Sequence, residues 1–486
     1  MGDGGLEERS ARLQTPPSPV LRYNPHDSLR RFLILNVSGV VGSRWAPRSS
    51  KPVAGRVAGR GGFDSHPLPP GLSELNIMTT DISIPQTPWL AGQDDQLTPL
   101  VRQVMRIDDI TWGQGNKDYV VRYRGTIVGD VSAAYDKLAS ALHKFDITPL
   151  FRKEEGRHAV VLVKGVVRPT PSNAWINLLL FVITLLSVLL TGTLLHYEPT
   201  ASGNFSVIWP DILRAIGLGM SFTISILAIL LAHEFGHYLA ARFHGTAVTL
   251  PYFIPFPFSP FGTMGAFIRL KEPPKNKRIL LDIGIAGPLA GLAVAIPILF
   301  IGLLLSDLDS LPVSANAAVS LEGNSLLYLL VKYIIFGQWL PDPGSYGGLH
   351  PVLYWIRYLF TGMPVPFGGT DVLLHPVAWA GWAGLLVTAL NLIPAGQLDG
   401  GHVLYVLMGA KARAVLPFIL TALVVLGTVW PGWWLWAFLI FFLGRVYAEP
   451  LDQITPLDSN RRAVAFLGLI IFILVFTPVP LSVFGV

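Results

Sequence analysis

Residues 233–237 read His233-Glu-Phe-Gly-His237, inside an almost charge-free apolar stretch covering 212–239. On a helix, side chains four apart share a face, so His233 and His237 have the spacing at which two imidazoles grip one zinc ion. Glu234 is turned by about 100° from His233, which lets its carboxylate serve a water on the metal rather than the metal itself. Zinc lowers the pKa of such a water to about 7, and a neighbouring carboxylate can take the proton. Gly236 leaves room against the helix for a substrate or another backbone. In a soluble helix the pattern arises readily by chance. At membrane depth three ionisable side chains are costly to bury unpaired, so here the pattern marks a zinc hydrolase site within the bilayer.

Composition agrees with a membrane setting. The chain has 486 residues, of which 51% are hydrophobic and 14% charged, against about 25% charged in soluble proteins. The net charge is +5, but the basic residues gather in loops, which suits control of topology rather than nucleic-acid binding. There is no cysteine, so disulfides and thiolate metal sites are excluded, and zinc must use His, Asp or Glu. No GxxxxGK phosphate loop is present, so no nucleotide is expected as a partner. No PDZ-like or CBS-like module interrupts the membrane half.

Apolar spans are expected near 175–195, 212–239, 280–304, 375–394, 414–431, 433–447 and 463–484, each approaching the roughly 20 residues that cross hydrocarbon. Residues 250–268 are broken by Pro251, Pro255, Pro257 and Pro260. Unpaired backbone survives at membrane depth only against protein or a cavity, so this piece reads as a re-entrant loop or β-hairpin. Residues 325–340 read as a membrane-surface helix or an extra span. Ahead of the membrane, Tyr119-Val-Val-Arg-Tyr-Arg124 alternates as a strand. Val131, Ala134, Leu138 and Leu142 have helical spacing, and 148–152 and 158–163 look like two further strands. This β-α-β-β order predicts a small α+β domain over 96–170. Residues 1–77, rich in Arg, Gly, Ser and Pro, read as disordered, or as an extension ahead of a true start at Met78. Asp3, Glu7 and Glu8 argue against a transit peptide. The expected fold is thus an all-α polytopic membrane protein over 175–484, with about six or seven transmembrane helices and a re-entrant or β-hairpin loop. A small N-terminal α+β soluble domain precedes it.

The loop 196–211 has no Lys or Arg, whereas Arg269-Leu-Lys-Glu-Pro-Pro-Lys-Asn-Lys-Arg278, 411–413 and 445–462 are basic. Those segments belong on the cytoplasmic face, together with the α+β domain. Residues 306–374 then form an external loop, against which Lys332 and Arg357 weigh. The expected location is an integral, multi-pass position in a bacterial cell membrane in preference to a plastid membrane.

A catalytic zinc needs a third protein ligand and an open position. The metzincin pattern fails, since residue 240 is Ala and residue 243 is Phe. His244 falls one place late and reads as a helix cap with Gly245. Glu272 is the nearest acid, but in its basic segment it reads as a solvated loop charge. Asn391-Leu-Ile-Pro-Ala-Gly-Gln-Leu-Asp399-Gly-Gly-His402 is the better source. It puts one acid at the cytoplasmic end of an apolar span, where Pro394 and the glycines break the helix.

His233–His237, Ala286-Gly-Pro-Leu-Ala-Gly291 and the 391–401 stretch, taken together, resemble the site-2 protease family of intramembrane zinc metalloproteases. The resemblance runs from about residue 212 to 409, and 250–268 and 375–385 look closer to its plant-plastid and bacterial branch. It implies His233, His237 and Asp399 as zinc ligands and Glu234 as the catalytic base. Asn391 stands where the family has a polar residue near the site, or is a helix-end cap. His402 is not implied as a ligand. Transmembrane proteins within the lipid bilayer are the implied substrates, cut after they unwind. Gly262-Thr-Met-Gly265-Ala-Phe-Ile268 alternates and is rich in small residues. Gly262 and Gly265 are therefore substrate-binding candidates on an edge strand that accepts an extended peptide, unless the hairpin merely plugs the site. Two other classes remain: a catalytically silent binding or chaperone protein of the same fold, and a metal transporter. Intact Glu234 argues against the first, and the single polar cluster against the second. Trp430-Pro-Gly-Trp-Trp-Leu-Trp436 reads as an interfacial aromatic belt.

Overall fold

The computed structural model describes residues 90–113, 119–196, 210, 212–312 and 319–484. The expectation for 1–77 and most of the loop 196–211 lie outside them. The chain divides into Met1–Asp94 and Asp95–Val486. The first unit is described only from residue 90, where helix α1 (Leu90–Arg102) begins.

Ahead of the membrane helices come β1 (Met105–Trp112), β2 (Val121–Ile127), α2 (Val131–Leu142), β3 (Ile147–Glu154) and β4 (Arg157–Lys164). The strands form one antiparallel sheet in the order β1-β2-β4-β3. Alternation in β2 buries Val121, Tyr123 and Ile127. Asp130 caps α2 by accepting a hydrogen bond from the Ala133 N–H. The helix lays Tyr135, Leu138 and Leu142 into a core with Phe151, Val160 and Leu162. Relative to the β-α-β-β expectation, α1 and β1 are additional. β1 shifts register between Ile107 and Asp109, and such a bulge erases the two-residue period that reveals a strand.

The outer edge of β3 is not left open. The Phe151 N–H donates to the Leu451 carbonyl and the Gln453 N–H to that of Phe151, both at 3.0 Å. On its other side the same segment pairs with the residues before the next long helix: Leu451 N to Pro274 O at 3.0 Å and Asp452 N to Lys275 O at 2.7 Å. Residues 451–453 thus stitch the sheet to the membrane half. Buried Asp452 holds their turn, accepting from the N–H groups of Ile454 and Thr455.

Among the described residues four helices are long and apolar enough to cross a membrane: Ala174–Leu195, Ile212–Phe243, Lys277–Leu304 and the broken run Asp399–Gly427. They contain α3 (Ala174–His196), α4 (Met220–Phe243) and α5 (Lys277–Leu304), and then α9 (Asp399–Met408) and α10 (Leu416–Gly427). The other apolar runs among the expected six or seven spans form shorter helices, for physical reasons. The 375–394 span shortens to α8 (Pro376–Asn391), whose Ala380, Trp382, Leu385 and Ala389 are buried in the bundle core with residues of α4 and α5. α11 (Gly432–Leu443) has 12 residues. The last span stops at α12 (Ser459–Val475), because Pro478 and Pro480 cannot continue it, and ends as β10 (Leu481–Phe484) paired with β8 (Val319–Glu322). Residues 325–340 contribute α6 (Leu326–Phe336), only 11 residues long. The short strands β7 (Asp307–Ser310) and β9 (Thr370–Leu373) pair, and α7 (Pro351–Thr361) lies between α6 and β9 in sequence. Within this cap Lys332 is fully buried, 3.4 Å from Asp371 and 3.7 Å from Glu322, which also accepts from the Tyr328 hydroxyl at 2.8 Å. Lys332 is therefore an internal ion-pair partner and not a loop charge that sets topology.

The proline-broken piece is an antiparallel hairpin, β5 (Tyr252–Pro255) with β6 (Thr263–Phe267). One face of α3 holds it. Asn177 donates to the Leu250 and Pro251 carbonyls, both at 2.9 Å, and Ser187 to the Gly262 carbonyl at 2.6 Å. Phe181 meets Phe253 edge-on.

Candidate metal centre and active site

α4 carries the His233–His237 pair near its C-terminal end. The helix stops because Gly245 takes a left-handed conformation, φ +67°, after His244 at the C-cap. The cap expected for His244 is found, and its ring also reaches Asp282 of α5 at 2.9 Å. α5 begins at Asn276, whose side chain accepts from the N–H groups of Arg278 and Ile279. It runs so close to α4 that a Cβ on Gly236 would lie 2.5 Å from the Ala286 carbonyl. The room left by Gly236 is therefore taken by another backbone.

α5 backs both histidines. Nδ1 of His237 is 2.7 Å from the Ile283 carbonyl, so it carries the proton and leaves Nε2 as the free lone pair. A side chain at Gly287 would overlap the His237 imidazole, and a Cβ at Gly291 would lie 3.2 Å from the His233 ring. Two glycines four apart thus make a smooth wall for two histidines four apart.

The third donor arrives from the other side. α8 ends at Asn391, Pro394 and the glycines turn the chain, and Asp399 opens α9. Its Oδ2 is 3.3 Å from Nε2 of both His233 and His237, and those nitrogens are 3.2 Å apart. A tetrahedral zinc with bonds of roughly 2.0–2.1 Å holds its donors about 3.3 Å apart, so the three atoms fit the ion. Two nitrogens and one carboxylate oxygen also match a catalytic zinc, which keeps a fourth position open. Among the described residues these three form the candidate metal-binding group. Glu234 is 3% exposed, and its Oε2 has no partner among the described residues. A buried carboxylate oxygen left unpaired beside a metal site is what a proton-accepting group for a bound water requires.

The remaining candidates fall in different places. Asn391 Nδ2 lies 3.3 Å from His233 Nε2, at the rim of the donor triangle. Glu272 is not among the donors. Its carboxylate accepts from the Ala247 N–H at 2.6 Å, so it is a structural clip and not simply a solvated charge. Gly262 is pressed against Val188 of α3, whereas Gly265, φ +95°, faces open space. His402 packs on Gly284, with Nδ1 unpartnered among the described residues. Trp433 is buried and donates to the Pro478 carbonyl, so this member of the aromatic belt is an internal anchor. The Ile283 carbonyl had no signal in the sequence, because a backbone group has no letter. The Gly287–Gly291 spacing was visible, but not its target.

Residues 221–429 match the family described as Peptidase family M50. Over 441 residues the chain is 26% identical to a protein of Oryza sativa subsp. indica named probable zinc metalloprotease EGY2, chloroplastic, covering 86% of this chain and 74% of that one. It is 30% identical over 347 residues to probable zinc metalloprotease EGY1, chloroplastic, of Oryza sativa subsp. japonica, covering 66% and 53%. It is 29% identical over 345 residues to the Arabidopsis thaliana protein named probable zinc metalloprotease EGY1, chloroplastic, covering 66% and 56%. No solved structure matches. The chloroplastic names overturn the expectation of a bacterial cell membrane. The motifs read from the sequence gather at the candidate site, and site chemistry does not record the compartment.

Proposed function

Because this chain carries the peptidase family M50 domain of the site-2 proteases and is a zinc metalloprotease of the membrane, we propose that it cuts transmembrane segments of other membrane proteins inside the bilayer. The observation that carries this reading is the triangle of buried His233 and His237 with half-buried Asp399, with the unpaired Glu234 oxygen beside it, between apolar helices. Zinc, when bound, supplies Lewis acidity and makes water nucleophilic near neutral pH. Glu234 accepts the proton of the attacking water and returns it to the leaving amine. His237, held by Ile283, and His233, beside Asn391, would hold the ion through Nε2 together with Asp399. A substrate helix must unwind first, since its carbonyls are bonded within the helix. The open Gly265 side of β6 gives the unwound peptide an edge to pair with, while Gly262 anchors the hairpin to α3. The chloroplastic names of the relatives support a plastid membrane as its location. Replacing Glu234 by Gln tests the activity: the variant should keep its zinc and leave a transmembrane substrate uncut in detergent. Cleavage at the parent rate would end the assignment of the base.

A further inference from the structure

The α4–α5 contact has no slack at the metal site. Gly287 already touches the His237 imidazole, and the Ile283 carbonyl meets its Nδ1 at 2.7 Å. A slide of one helix on the other would either drive the Gly287 backbone into the ring or break that hydrogen bond. Something must therefore fix the register, and the next residue does so. Asp282 accepts from His244 at the end of α4 at 2.9 Å. It also accepts from Arg461 of α12, through Nε at 2.9 Å and Nη2 at 2.6 Å, while Arg461 Nη1 is held by Asp458 at 2.8 Å. One carboxylate thus ties three helices one residue away from the carbonyl that orients His237. A bidentate Arg–carboxylate pair is geometrically strict, and this one is only partly exposed, with side-chain exposures of 35% and 24%.

We propose that Asp282 is a positioning residue for the metal centre. Through His244 and Arg461 it locks α5 against α4, so that the Ile283 carbonyl stays on Nδ1 of His237 and Nε2 stays on the ion. This rests on the reading of His237 as a metal ligand. Groups that orient a ligating histidine change metal affinity by about 10- to 100-fold when lost, and Asp282, acting one step further out, should sit near the low end of that range.

The test uses the full chain in detergent, with zinc affinity measured by chelator competition and the visible spectrum of the Co2+-loaded protein as a second readout. Asp282→Ala should lower zinc affinity about tenfold and alter the Co2+ spectrum. Asp282→Glu should recover part of both, because it keeps the charge. His244→Ala combined with Asp282→Ala should cost little more than Asp282→Ala alone, since the two act along one path. If Asp282→Ala does not fold, Asp282→Asn, which keeps the volume and one acceptor, replaces it and should lose affinity in the same direction. Zinc affinity within twofold of the parent in the folded variant, with only thermal stability reduced, would overturn the proposal. His237→Ala separates the two readings. If it binds zinc as the parent does, the ligand assignment has failed. If it loses zinc while the Asp282 variants do not, only the positioning role has failed.

Discussion

At the scale of single residues the proposed centre rests on three candidate donor atoms and two glycines. Asp399→Ala removes the one charged residue of the proposed donor set, so zinc content of the purified protein should fall at least tenfold along with activity. Glu272→Ala removes a clip on the Ala247 N–H instead and should leave zinc content unchanged. Elemental analysis of the two proteins side by side checks both statements, and the opposite pattern would move the third ligand to Glu272. Gly287→Ala should abolish zinc binding more completely than its one added methyl suggests, because that methyl falls on the His237 ring. The histidine pair was legible because helical periodicity fixes which residues share a face. Asp399 was legible because Pro394 and the flanking glycines announce a broken helix. Asp282 was not, since nothing local distinguishes a register clamp from a surface acid.

At the scale of elements the hairpin is the part most open to test. Its attachment to α3 runs through Asn177, which satisfies two carbonyls at once. Each such bond is worth about 1 kcal/mol, so Asn177→Leu, which removes two, should loosen the hairpin and reduce cleavage by up to about 30-fold. Zinc content should stay at the parent level. Prolines at 251, 255, 257 and 260 made the hairpin readable from sequence. The span count was not readable, because an apolar run looks the same whether lipid or protein surrounds it, as α8 shows. The buried Lys332 cluster was equally hidden, since its members are assembled from β8, α6 and β9. There burial pushes the Glu322 carboxyl up to about 7, with Lys332 opposing the rise and Asp371 adding to it. A carboxyl that holds its proton more tightly folded than unfolded stabilises the fold below about 4.5, and that contribution is lost as pH rises through about 7. The unfolding midpoint of the full chain should therefore fall between pH 5 and 8. Glu322→Gln should flatten that slope, and a parent-like slope in the variant would refute the assignment.

At the scale of the whole molecule the basic segments predict sidedness. The 269–278 stretch and the α+β domain should share one face, with 306–374 on the other, by the Lys/Arg rule for short loops. The chain has no cysteine, so Glu155→Cys and Ser345→Cys, both at exposed positions, give clean labels. An impermeant thiol reagent supplied from one side of sealed vesicles should reach only one of them, and labelling of both from the same side would refute the arrangement. The bridging segment 451–453 also imposes an order on biogenesis. Arg152 and Pro450, which meet across that seam, are separated by 298 positions in the chain. At roughly 5–20 residues per second, synthesis needs about 15 to 60 s to deliver the missing segment. For that interval the β3 edge is exposed, with the α+β domain made and its neighbour not yet translated. Open edges recruit other chains, so this protein carries a window of aggregation risk that closes only once residues 451–453 have been made.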